Sequence, residues 1–511
     1  MEDKVVLAVS ASILFILVSR LISYATKPRL NLPPGPWTLP LIGSVHHFLS
    51  VSSTESMHSV MRRLAQKHGP LMQLWFGEVA TVIASSPEAA KEILRTHDLT
   101  FADRHLTSAT AALSFDGRDI GLSPYGERWR QLRKLLTQEL LTVTRVRSFR
   151  RIREEEIARL VRDLSAAGGA SAVNLTEMVA GLVNDIVLRC SVGGRCKYRR
   201  EYLAALRALV NVTSGLSVAD LFPSSKLASM VSTVPRTALA SRNKMESIIE
   251  QIIQERKAQI ETDMVSDQAA ADSKSCTLDD LLRLQKEGGS PIPITNEVIV
   301  VLLMDLFAGG TDTASTTLIW AMAELIRSPR VMAKVQAEMR QAFQGKNTIP
   351  EDDLAQLSYF KMVIKETLRL HCPLPLLSPR KCRETCKVMG YNVPKGTSAF
   401  VNVWAICRDS KYWEDPEEFK PERFEKNNME FKGSNFEFLP FGSGRRTCPG
   451  INLGMANVEL ALANLLYHFD WKLPNGMSRK DLDLREAPGL LAAKHTSLNV
   501  CPVIHIASSG A

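Results

Sequence analysis

The longest apolar stretch of this 511-residue chain runs from Thr295 to Arg327 and is closed by Ser328-Pro329. Its pattern predicts one long, mainly apolar helix that ends at the proline. At about 1.5 Å per residue it would reach roughly 50 Å, enough to cross a whole domain. Helical spacing also dominates 128–259 and returns at 359–371 and 452–468. The runs 72–76 and 81–85, set about Gly77-Glu78, predict a short hairpin. Residues 390–403 predict short strands around Pro394-Lys395-Gly396, and the polar run 263–274 predicts an exposed loop. No long Gly/Ser linker or internal repeat divides the chain.

The N-terminus has its own pattern. Residues 5–19 are apolar or small, Arg20 interrupts them, and 21–25 extend them. A full span needs about 20 apolar residues, so Arg20 would have to snorkel to the interface. Lys27 and Arg29 follow, and their charge favours keeping the body on the cytoplasmic side. A cleaved signal peptide is the competing reading. Pro33-Pro34-Gly35-Pro36 reads as a stiff hinge rather than a cleavage region. The sequons at Asn174 and Asn211 stay unused if the body is cytosolic.

Two places break the local rules of the helices that carry them. Gly309-Gly310 sits mid-helix, where glycine costs roughly 1 kcal/mol each relative to alanine. Thr311, Asp312 and Thr313 then put polar groups on an apolar element. Local conflict of this kind is expected at functional sites, and small residues would let a flat molecule approach. A simple kink with polar groups facing solvent is the bland alternative. The second place is the loop 441–450, Phe-Gly-Ser-Gly-Arg-Arg-Thr-Cys-Pro-Gly. Pro449 suits a helix start, so Cys448 lies at a helix N-terminus, where backbone N–H groups favour a thiolate. The loop reads as one that holds this thiolate against a haem iron. Arg446 would pair with a propionate, Phe441 would shield the sulfur, and Gly450 would let the helix start approach the macrocycle. A buried structural cysteine is the alternative for an isolated residue.

Charge and cysteine content narrow the reading. The net charge of +9 permits an acidic protein partner or anionic lipid. No compact basic run interleaves with aromatics, so nucleic acid is not expected. The nine cysteines show no paired zinc-type spacing, which suits free thiols in a reducing compartment.

The loop matches Phe-x-x-Gly-x-Arg-x-Cys-x-Gly, and on this signature the chain resembles the cytochromes P450. Other landmarks follow in family order: Trp129…Arg133, Ala308 to Thr313, Glu366-Thr367-Leu368-Arg369, and Pro421-Glu422-Arg423-Phe424. The resemblance, to microsomal plant A-type members, covers nearly the whole length. It implies a mainly α fold with small β-sheets, divided as a membrane anchor (1–26), a basic, proline-rich hinge (27–44) and a catalytic domain (45–511). It implies haem b with Cys448 as axial ligand, and O₂ with NADPH-derived electrons delivered by a P450 reductase. By the same resemblance Asp312 and Thr313 serve proton delivery, and Trp129 and Arg133 bind a propionate, as does Arg380. Glu366, Arg369 and Arg423 form a buried network supporting the cysteine loop. For Glu366 and Arg369 alone an ordinary surface pair would be the default. Ala314 departs from the family, which often has Thr or Ser there.

Arg130, Lys134 and Arg445 are expected to offer a positive surface to an acidic reductase. A substrate lining is expected from 107–115, 303–308, 374–378 and 489–491, with Leu303, Leu306, Phe307, Leu374, Leu376, Leu377 and Leu490. Such a lining fits a lipophilic substrate, although any single leucine is as readily core. Segments 27–44 and 401–425 resemble cereal members that oxidise terpenoid defence compounds. A diterpene, labdane-related or casbene-type, is expected first and a sesquiterpene next, at the endoplasmic reticulum membrane. Two alternatives stay open: an isomerase or dehydratase of the same fold acting on hydroperoxides without O₂ or reductase, and a non-catalytic haem-binding protein.

Overall fold

The computed structural model describes residues 30–505 apart from 50–54, 116, 170, 214, 266–274, 289, 291, 347, 427 and 428. The expected anchor, 1–26, and the first residues of the hinge lie outside the described residues. The rest of the hinge runs beside the first strand, where Gln73 N donates to Pro34 O at 2.8 Å.

The long helix, Asn296–Arg327, forms where expected. Thr295 caps it by accepting from Val298 N at 3.3 Å, and Pro329 opens the next helix directly after Ser328. By length and composition this helix could cross a membrane, but it is the buried axis of the core. Helices Leu175–Val192, Val234–Val265, Ser358–Leu370 and Ile451–His468 pack around it. The helix stays continuous through Gly309-Gly310. A Cβ at Gly310 would lie 3.2 Å from the Val187 side chain, so this glycine permits the close approach of Leu175–Val192.

A five-stranded sheet flanks the helices. The hairpin Leu71–Phe76 and Val79–Ala84 turns at Gly77-Glu78, with Phe76 opposite Val79. Ser398–Val401 pairs parallel to Val79–Ala84, Arg380–Lys381 joins it, and Asp103–Arg104 forms the far edge. The strands expected across 390–403 divide between sheets, because Tyr391–Val393 pairs with Cys386–Val388 instead. A third sheet holds Asn499–Ile504 between Val173–Asn174 and Phe469–Lys472.

The loop expected at 263–274 needs one correction: 263–265 continue the helix Val234–Val265, and 266–274 lie outside the described residues. Helices dominate 128–259 as expected, with the strand Val173–Asn174 set between two of them, where Asn174 caps the next helix by accepting from Glu177 N at 3.2 Å.

Candidate active site

The cysteine loop is built by backbone before side chains. Cys448 N donates to Phe441 O at 3.0 Å and Thr447 Oγ1 reaches Phe441 O and Gly442 O, which closes the loop on itself. Gly444 has φ +72°, and a Cβ there would lie 2.3 Å from Leu94 O, so only glycine lets this loop seat against the 92–96 turn. Gly450 opens the helix Ile451–His468 and accepts from Gly454 N at 2.8 Å. The Phe441 ring packs on Phe431 at 5.4 Å. Burial pushes the Cys448 thiol above its usual range, against the Gly450 N–H and Arg133, which favour the thiolate. Helix position alone therefore does not ionise this cysteine. A coordinated metal would, because a coordinating thiol is deprotonated outright.

Four guanidiniums gather beside the loop. Sheet register sets Arg104 directly opposite Arg380. Like charges so paired are unfavourable unless something offsets them. Arg446 is 8 % exposed and stands over the Trp129 ring at 4.2 Å. It donates to Ala102 O, Ile120 O and Ser123 O at 2.8, 3.2 and 2.6 Å. Trp129 Nε1 also donates to Ile120 O, at 3.0 Å, and Arg133 Nη2 donates to Thr447 O. Burial and mutual repulsion push Arg104 well down, and burial with repulsion from Arg380 takes Arg446 to about 10. A guanidinium does not lose its proton in proteins, so the cluster is an anion site. Asp98 is the buried carboxylate among them. It accepts from Arg380 Nη1 at 3.1 Å, Arg445 N at 3.0 Å and Arg445 Nη1 at 2.8 Å.

The long helix supplies the facing wall. Ala308 and Gly309 are exposed within its otherwise largely buried middle, and a Cβ at Gly309 would meet nothing within 4 Å. Thr313 Oγ1 donates to Gly309 O at 2.7 Å, and the hydroxyl of Thr311 is buried without a hydrogen bond among the described residues. Burial pushes the Asp312 carboxyl up, opposed by Arg207. Ala314 faces the core, 4 % exposed, so it lies away from this polar group. The helix that opens at Gly450 packs against the long helix, which fixes the two walls relative to each other. Among the described residues no three His, Cys, Asp or Glu side chains gather as metal ligands. An iron held by Cys448 would thus take its other ligands from a cofactor. Cation rim, accessible glycine wall and single thiol fit an anionic, planar macrocycle.

Glu366 binds Arg369 through Nε and Nη2 at 2.7 and 2.9 Å and Arg423 through Nε at 2.9 Å. Remaining guanidinium donors reach Cys407 O, Pro416 O, Glu418 O, Glu414 O and Asp415 O. Of the residues expected to face a partner, Arg130 pairs with Glu127 and Arg445 with Asp98, while Lys134 is exposed. The expected lining also divides. Leu303 and Phe307 are wholly buried, Phe307 against the Tyr202 ring at 5.2 Å. Leu374, Leu376 and Leu377 are half-buried and Leu490 is exposed.

Sequence reasoning missed Asp98, Arg104, Asp119, Asp305 and Tyr202. Asp305 carried a readable signal, a lone acid in the apolar run 298–307. Asp98 carried none, since its partners are brought to it by the fold.

Comparison with known proteins agrees with this geometry. The family model described as Cytochrome P450 matches residues 33–500. The chain is 63 % identical to a rice ent-cassadiene hydroxylase over all of this chain and 99 % of that protein. It is 62 % identical to a rice ent-isokaurene C2/C3-hydroxylase over the whole of both chains, and 57 % to a maize dolabradiene monooxygenase over 99 % of each. A zebra fish cytochrome P450 solved with abiraterone shares the fold, with a TM-score of 0.73 at 23 % identity over 88 % of this chain and 99 % of that one. A lone thiol at a helix start, a cation rim and a glycine-faced helix are thus what one family builds for haem-thiolate chemistry, and the chain belongs to the cytochrome P450 monooxygenases.

Proposed function

We propose that this monooxygenase inserts one oxygen atom from O₂ into a terpenoid, with Cys448 as the axial ligand of haem b. A labdane-related or casbene-type diterpene is the first candidate and a sesquiterpene the next. Full-length identity to relatives named for such oxidations is the observation that carries the substrate class. Haem bound through a thiolate supplies the oxygen activation.

The chain's residues do the rest. Arg104, Arg133, Arg380, Arg446 and Trp129 hold the propionate side, and Phe441 and Gly450 border the sulfur. Asp312, with its pKa raised by burial, takes up a proton readily and passes it toward Thr313. Thr313, tied to Gly309 O, holds its hydroxyl over the accessible helix wall. The half-buried leucines of 374–378 give an apolar wall that orients substrate and excludes water.

Electrons come from NADPH through a P450 reductase, and residues 1–26 anchor the 45–511 catalytic domain at the endoplasmic reticulum through the 27–44 hinge. An exposed apolar face supports the membrane reading: Leu227 and Met230 are each 71 % exposed and Trp37 66 %. Both contributing segments meet the hairpin turn, through Glu78 N to Leu221 O at 2.9 Å and Gly77 N to Ile42 O at 3.2 Å. Apolar patches of this kind mark membrane or partner contacts.

The test is a carbon monoxide difference spectrum of the reduced protein, followed by titration with diterpene and sesquiterpene hydrocarbons. A band at about 450 nm and a substrate-induced spin shift are expected. A band at about 420 nm in gently handled protein would count against Cys448 ligation. Product formed without NADPH would favour an isomerase.

A further inference from the structure

The strap 119–123 crosses from the long helix to the cysteine loop, and its backbone is tied at both sides. Ile120 N donates to Asp305 Oδ2 on the helix at 2.8 Å. Ile120 O accepts from Trp129 Nε1 and Arg446 Nη1 at 3.0 and 3.2 Å. Gly121 O accepts from Arg104 Nε at 3.0 Å, Leu122 N donates to Asp119 Oδ2 at 3.0 Å, and Ser123 O accepts from Arg446 Nη2 at 2.6 Å. One peptide, Ile120, thus links the oxygen-side helix to two residues of the propionate side. Two carboxyls flank the strap. A Cβ placed at Gly121 would lie 3.7 Å from Asp305 Oδ1 and 3.8 Å from Asp119 Oδ2. Asp119 is 6 % exposed, and its Oδ1 takes no hydrogen bond among the described residues.

We propose that Asp119 is held as the neutral acid beside the Asp305 carboxylate and that the two act as a single positioning unit, which fixes the Ile120 peptide and through it Trp129 and Arg446. Asp305, which accepts backbone N–H groups, keeps the charge, and Asp119 Oδ1 carries the proton. Burial and the neighbouring Asp305 carboxylate push Asp119 up to about 8. Burial raises Asp305 to about 6, against the N–H groups of Ile120 and Gly121. The charged groups facing the pair are Arg446 from the cysteine loop and Arg104 from the sheet edge, and Arg118 beside it pairs with Glu297 at the helix start at 2.7 Å. Because the folded pKa of Asp119 lies above its ordinary value of about 4, the native strap holds the extra proton between those two pH values. As pH rises through about 8 a second charge appears beside the first and the strap loosens.

This rests on the propionate-side role of Trp129 and Arg446, but the test reads the strap itself and needs no substrate. Infrared spectra of the ferric holoenzyme are recorded from about pH 7.5 to about pH 9.5, above the range in which Asp305 itself titrates, with hydrogen exchange of the strap peptide corrected for intrinsic rate. The expected result is a protonated-carboxyl stretch that fades near pH 8 and is missing in Asp119→Asn. Strap exchange in the wild type rises roughly tenfold across that transition. In Asp119→Asn, which keeps an uncharged donor in place, exchange stays low throughout. Asp305→Asn raises it at every pH, and if that variant does not accumulate, the wild type and Asp119→Asn decide. A carboxyl stretch that survives in Asp119→Asn, or strap exchange that is flat with pH in the wild type, would overturn the proposal.

Discussion

Two buried arginine clusters differ in how their charge is met, and they solve opposite problems. In one, Glu366 sits between Arg369 and Arg423 at 2.7 to 2.9 Å, and the other guanidinium donors end on carbonyls. Its acid lies wholly buried with its cations at contact, so the cluster closes on itself. In the other, burial lowers the pKa values of Arg104, Arg133, Arg380 and Arg446, repulsion among them adds to this at Arg104 and Arg446, and the buried carboxylate Asp98 offsets only part of the charge. That cluster is incomplete by itself and suits an external anion. Buried charge satisfied from within reads as structure, whereas buried charge in excess of its partners reads as a binding site.

The comparison can be broken or sharpened by substitution. The largest effect is expected outside both clusters: Cys448→Ala should abolish the band at about 450 nm and all turnover, read by the reduced carbon monoxide spectrum. Glu366→Ala leaves two buried guanidiniums uncompensated and should cost about 3–5 kcal/mol, read as lost soluble holoprotein and a lower midpoint in denaturant. Arg446→Ala should leave the fold standing and weaken haem retention by about 1.5–3 kcal/mol, read by transfer of haem to an acceptor globin. Equal loss of stability in both variants would erase the distinction between the clusters. Thr313→Ala should keep spectrum and stability while product per NADPH falls roughly tenfold or more, read by the ratio of product to cofactor consumed. Arg445→Ala should have the smallest effect, within about 1 kcal/mol, because its pair with Asp98 is half exposed on the arginine side.

Much of the frame was legible before any coordinates. The helix limits near 295 and 327 were legible; the cap at Thr295 came with the structure, but the end was marked by Ser328-Pro329, a local stop. The hairpin turn at Gly77-Glu78 was legible for the same reason. The loop 441–450 was legible because its glycines, proline and cysteine act within ten residues of one another. The helix end at 263–265 was not, since no cap or breaker in the sequence marks where that helix stops. The pocket leucines were not either, because Leu303 and Leu374 differ in burial but not in type.

The sequence by itself determined which segments are mainly helical, where the buried apolar helix starts and stops, and that Cys448 just precedes a helix start. Periodicity, caps and breakers act over a few residues, so the chain carries them openly. Tertiary structure alone decided that Arg104 faces Arg380, that Asp98 holds Arg380 from 282 residues away, and that Asp305 meets a peptide 185 residues distant. Those pairings depend on sheet register and helix packing, and the burial that shifts their proton affinities exists only once the walls have closed.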